Sequence, residues 1–122
     1  MILAVDDNED SLRIVQMIVQ SAGFEVRIAR NGKQALEAVE ETVPELIIMD
    51  VMMPEMDGVE ALKVLRDSTR TSRIPVILLT AKGQDEDVLS GYQSGAAYYM
   101  TKPFTAKQLL NGIRLLLGKE AS

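Results

Sequence analysis

The sequence predicts an α/β domain: a doubly wound, five-stranded parallel sheet with helices on both faces. Two observations carry this reading. Short, almost wholly apolar runs alternate five times with amphipathic helical patterns along the 122 residues, and the segments joining them are short. Runs that are apolar throughout, instead of alternating, suit strands buried on both faces, as in a parallel sheet.

Each element has its own signal. Ile2–Val5 reads as the first strand, and Leu12, Val15, Ile18, Val19 and Ala22 then share one helical face. Gly23 follows as a C-terminal stop. Val26–Ala29 is the second strand, Asn31-Gly32 turns the chain out of it, and Ala35, Leu36 and Val39 line a shorter second helix. Pro44 closes that region ahead of a third strand over residues 46–49. Asp57-Gly58 launches a third helix marked by Val59, Leu62 and Leu65. A fourth strand follows at 76–79, then a fourth helix marked by Val88, Leu89 and Tyr92, and a fifth strand at 97–100. Thr105, with Gln108 three residues on, forms a capping-box pattern for a last helix carried by Leu109, Leu110, Ile113, Leu116 and Leu117. One domain, residues 1–122, is expected, a length sufficient for a single core.

Bulk properties narrow the function. An apolar content of 47% with 25% charged residues suits a globular fold and excludes disorder. With 13 Lys+Arg against 18 Asp+Glu the net charge is −5, which argues against direct nucleic-acid binding. No apolar stretch is long enough to span a membrane and no signal peptide is visible, so no membrane partner and a cytoplasmic location are expected. Cysteine is absent, which excludes disulfides and thiolate chemistry. The one basic cluster, Arg66, Arg70 and Arg73, brackets a Ser/Thr-rich loop and reads as a solvated connection.

The strand ends carry the chemistry. Asp6-Asp7 closes the first strand, Asp50 the third, Thr80 the fourth, and Lys102 follows the fifth. In open parallel sheets ligands bind beyond the carboxyl ends of the strands, where the strand order reverses. For the flavodoxin-like order 2-1-3-4-5 that point lies between strands one and three, which end in these three carboxylates. Clustered carboxylates repel and demand a cation. Oxygen ligands alone, without His or Cys, favour Mg²⁺, with Mn²⁺ able to substitute. Lys102 and the Thr80 hydroxyl are suited to hold phosphate oxygens. Asp50 is then a candidate nucleophile toward phosphorus, forming an aspartyl-phosphate. Singly, each residue has a plainer explanation: Asp6 or Asp7 as a helix cap, Thr80 bonded to its own backbone, Lys102 as a solvated lysine. Their joint placement at four strand ends favours a site.

At these residues the sequence closely resembles the receiver domains of bacterial two-component response regulators, of the chemotaxis-regulator kind. The matching stretches are VDDNED, IIMDVMMPEMDG, PVILLTAK and YYMTKPF. The resemblance implies that Asp50 accepts a phosphoryl group from a sensor histidine kinase or a phosphotransfer protein. It implies that Asp7, Asp50 and the Met52 backbone carbonyl bind Mg²⁺ directly, with Asp6 acting mainly through water. Thr80 and Lys102 would contact the phosphoryl oxygens, and the Lys102–Pro103 peptide would be cis. Tyr99 would be the aromatic switch, turning inward as Thr80 moves toward the phosphate. The signalling surface, presented to an output domain or downstream protein, would be the fourth helix, fifth strand and fifth helix.

The resemblance also implies that Met52 and Lys82 influence the phosphate's lifetime. Neither orients an attacking water as an acid or amide does, so slow self-dephosphorylation is expected. Ala97-Tyr98 replaces the acidic pair that many dimeric members carry before the switch aromatic, which leaves Arg114 without its expected partner. Such a domain is not a turnover enzyme; it catalyses only its own phosphorylation and slow dephosphorylation. Three other readings compete. A phosphohydrolase working through an aspartyl-phosphate would need an acid where Met52 stands. A flavin carrier would need a phosphate loop where Asp6 to Asp10 would repel phosphate. A phosphorylation-independent interaction module would keep the same fold.

Overall fold

The computed structural model describes residues 1–81 and 95–118. Its strands are β1 (Ile2–Val5), β2 (Val26–Ala29), β3 (Leu46–Asp50), β4 (Val76–Ala81) and β5 (Tyr98–Lys102), all parallel, in the order β2-β1-β3-β4-β5. The helices are α1 (Glu9–Ser21), α2 (Gly32–Glu41), α3 (Gly58–Arg66) and a C-terminal helix (Ala106–Leu117). The expected fourth helix, with Val88, Leu89 and Tyr92, and also Lys82, lie outside the described residues.

Strand pleating sorts the core into two layers. Leu3, Val5, Ile47, Met49 and Leu78 pack with Ala35 and Val39 of α2 and Leu62 and Leu65 of α3. Ile2, Ala4, Ile48, Ile77 and Leu79 pack with Leu12, Val15 and Val19 of α1 and with Leu109 and Ile113 of the C-terminal helix. Both faces of the sheet are therefore covered, and the central strands β1 and β3 are buried along their whole length. That explains why these runs are apolar without alternation.

Three strands run further than their apolar runs suggest. β3 includes Asp50, β4 continues through Thr80 and Ala81, and β5 begins at Tyr98 and reaches Lys102. The cause is the ladder: Asp50 pairs with Leu79, Thr80 with Thr101 and Ala81 with Lys102. A polar residue continues a strand wherever its neighbour still offers backbone hydrogen bonds. Asp50, Thr80 and Lys102 consequently stand on ladder residues instead of free loops.

Capping sharpens the helix starts. Asn8 caps α1, its side chain accepting from Ser11 N at 2.9 Å. Asn31, read above as a turn residue, caps α2 by accepting from Gln34 N at 2.8 Å. Asp57 with Glu60, and Thr105 with Gln108, close capping boxes on α3 and the C-terminal helix. Among the described residues no helix is long and apolar enough to cross a membrane.

Candidate phosphoacceptor site

Because Asn8 caps α1, neither Asp6 nor Asp7 is spent on that cap. The Asp6 backbone N–H continues the β1 ladder to Ala29 O at 3.2 Å. Its side chain is 2% exposed and accepts from Asn8 N at 2.9 Å through Oδ1, leaving Oδ2 turned to the site. Asp7 is exposed, on the solvent side. Asp50 is buried at the end of β3, with Oδ1 accepting from Met52 N at 3.2 Å. One carboxylate oxygen from each of Asp6, Asp7 and Asp50 lies within 4.8 Å of the other two.

Lys102 supplies the cation. Its Nζ donates to Asp6 Oδ2 and to Asp50 Oδ2, both at 3.0 Å. Strand parity explains the convergence. Asp6, Asp50 and Lys102 continue the alternation of Ala4, Ile48 and Met100, all of which face α1 and the C-terminal helix. Thr80 and Tyr99 have the opposite parity and share the face covered by α2 and α3, with Tyr99 paired to Leu78. The register thereby separates the adjacent tyrosines. Tyr99 lies on the Thr80 face, whereas Tyr98 packs on the other layer, where a Cβ on Gly112 would meet its ring at 3.3 Å. Thr80 is 2% exposed, and its Oγ1 reaches the Ala81 carbonyl at 3.4 Å.

Charge is incompletely balanced here. Burial pushes the Asp50 carboxyl above its ordinary pKa, the Lys102 hydrogen bond opposes this, and the Asp6 charge adds to the rise. For Lys102 burial alone would lower the ammonium, but its bonds to Asp6 and Asp50 outweigh burial and raise it. Arg30, at the end of β2, pairs with Glu9. Among the described residues three carboxylates thus face one lysine, an all-oxygen set with one exposed member, which suits a hard divalent ion that keeps some of its water. Met52 is 56% exposed directly after β3. The Lys102–Pro103 peptide is cis, and a cavity of about 320 Å³ lined by Ser11, Ile14, Val15, Lys102, Pro103 and Phe104 flanks the lysine.

Carboxylates and a lysine gathered at the switch point of a 2-1-3-4-5 sheet define a doubly wound α/β domain with an acidic ligand site. The comparisons narrow the class to a family. The response regulator receiver domain family matches residues 2–114. The DNA-binding response regulator MtrA of Mycolicibacterium smegmatis is 38% identical over 116 residues, covering 95% of this chain and 50% of MtrA. Chemotaxis protein CheY4 of Vibrio cholerae superposes with a TM-score of 0.89 at 34% identity, over 95% of this chain and 97% of that one. The receiver domain of sensor histidine kinase PA1611 from Pseudomonas aeruginosa, solved with a magnesium ion in its active-site cleft, gives 0.89 at 30% identity over 97% of both. The chain belongs to the response regulator receiver family, and is a receiver domain of two-component signalling, not a classical enzyme. It spans about half the length of the curated relatives it matches.

Two features were not foreseen. The double hydrogen bond of Lys102 spans strands far apart in sequence, which no local pattern reveals. Arg66, read as solvated, is hydrogen-bonded to the Gly95 carbonyl, 29 residues on, a contact that no local pattern signals.

Proposed function

We propose that Asp50 accepts a phosphoryl group from the phosphohistidine of a sensor kinase or phosphotransfer protein in the cytoplasm. The supporting observation is the placement of Lys102 Nζ 3.0 Å from an oxygen of both Asp6 and Asp50, beside three convergent carboxylates. Asp6, Asp7, Asp50 and the Met52 carbonyl would hold Mg²⁺, with Mn²⁺ as a substitute. When bound, the ion supplies positive charge that offsets the carboxylates and the transferring group. An Asp50 oxygen attacks phosphorus, the bond to the histidine nitrogen breaks, and that nitrogen leaves with the electron pair. Asp50 needs no base, since it reacts as the carboxylate. Lys102 and Thr80 then hold phosphoryl oxygens, and Thr80's shift frees Tyr99 to turn.

The donor docks beside α1, where Ile14 is 53% and Met17 63% exposed next to the cavity walled by Pro103 and Phe104. The switched surface is the face containing β5 and the C-terminal helix, and it acts on an output domain or a separate protein. The test is incubation with a small phosphodonor and Mg²⁺, read by intact mass. The wild type gains one phosphoryl group only with Mg²⁺, and Asp50→Ala gains none. Equal gain in the variant overturns the reading.

A further inference from the structure

Arg66 ends α3, and its guanidinium reaches the backbone that leads into β5. Nη2 and Nε donate to the Gly95 carbonyl at 2.8 and 3.2 Å, and Nη1 reaches the Thr71 carbonyl at 3.5 Å. Burial draws this guanidinium below its ordinary pKa, so the group is partly withdrawn from water. Gly95 has φ +101°, and a Cβ there would meet Arg66 Nε at 2.9 Å, so the backbone lies directly against the guanidinium. Two residues later Ala97 N donates to Val76 O at 3.0 Å, and the β4–β5 ladder starts.

The other end of α3 is equally fixed. Gly58 N donates to Val51 O at 2.8 Å, and a Cβ on Gly58 would come within 2.4 Å of the Asp50 carbonyl. This nine-residue helix therefore abuts the backbone of Asp50 at one end and grips the start of β5 at the other. β5 ends in Lys102 and is an edge strand, paired on one side only. One ladder, to β4, therefore holds β5 where an internal strand has two.

We propose that Arg66 is a positioning residue for phosphoryl transfer: by holding Gly95 it sets where β5 sits relative to β3, and so places Lys102 Nζ against Asp50. This rests on Asp50 being the phosphoacceptor. The test compares wild type, Arg66→Met, Arg66→Lys, Gly95→Ala and the Arg66→Met/Gly95→Ala double variant. In metal-free protein, amides of residues 98–102 exchange faster in Arg66→Met, while those of β1 and β3 keep wild-type rates. With a small phosphodonor and saturating Mg²⁺, Arg66→Met and Gly95→Ala slow phosphoryl gain on the order of ten- to a hundredfold, the scale of an ångström's misplacement of a reacting group. The Mg²⁺ midpoint stays at the wild-type value. Arg66→Lys, which keeps a donor for Gly95, recovers part of the rate. The double variant is no slower than the slower single, because both changes break one contact.

Wild-type rates in Arg66→Met, multiplied losses in the double variant, or faster exchange throughout β1 and β3 would each overturn the proposal. A wild type that gains no phosphoryl group fails at the phosphoacceptor reading instead. The exchange comparison then still decides whether Arg66 holds β5.

Discussion

Lys102 Nζ lies 3.0 Å from Asp50 Oδ2, reaching from the end of β5 past β4 to the end of β3. The same ammonium holds Asp6 Oδ2 at the end of β1. It is thus the internal counter-ion of two buried carboxylates. Lys102→Met removes this shared ion pair from both, and breaking such a pair costs about 2 kcal/mol here, discounted because the lysine is 25% exposed. The expected result is a lower Tm in chelator, recovered in large part by millimolar Mg²⁺. A Tm loss that Mg²⁺ does not touch would contradict the assignment.

Asp50 carries the opposite prediction. Its folded pKa stands above the ordinary 3.8, chiefly through burial. At pH values above its folded pKa it is ionised in both states, and the folded state bears the unfavourable charge. Below 3.8 it is protonated in both and costs nothing. Metal-free Asp50→Asn is therefore more stable than wild type at neutral pH, read as a higher Tm, and the advantage shrinks as pH falls toward 3.8. Lys102 works in the other range: its raised pKa stabilises the fold below 10.5, and that contribution disappears as pH rises through the folded value. Denaturant midpoints of both variants against pH check the two signs. An Asp50→Asn advantage that grows in acid would contradict them.

Tyr98 and Tyr99 belong to opposite layers, so phosphorylation should move one ring and not the other. Ring signals, assigned through Tyr98→Phe and Tyr99→Phe, are expected to shift for Tyr99 on phosphorylation and to stay for Tyr98. Thr80→Ala should weaken the Tyr99 shift while leaving Asp50 able to accept the group. A larger shift at Tyr98 would place the switch on the wrong face.

Met52 presents an exposed thioether next to the acceptor, a group that accepts hydrogen bonds poorly and orients water badly. The phosphorylated fraction, followed after donor removal, should decay slowly, and Met52→Glu should shorten its lifetime several-fold. Loss within seconds in wild type would contradict this.

Much of this could be read along the chain because the signals are local. Residues 2–5 and 26–29 are strands with the expected limits, the capping box at Thr105 stands where the spacing puts it, and the third helix starts at Asp57-Gly58 as read. The convergence of Asp6, Asp7 and Asp50 followed from strand order alone. What escaped was non-local. The ends of β4 and β5 are decided by neighbouring strands, which is why Thr80 and Lys102 turned out to be ladder residues. The parity that parts Tyr98 from Tyr99 needed the register, and the Arg66 hydrogen bonds join residues 29 apart.

The most direct measurement is the position of the acyl phosphate. Phosphorylated protein is reduced with borohydride, which converts a phosphorylated aspartate to the corresponding alcohol, and its peptides are sequenced. The account predicts the alcohol at position 50 alone, and only when Mg²⁺ accompanied the donor. An alcohol at position 6 or 7, or none anywhere in protein that has gained a phosphoryl group, would contradict it.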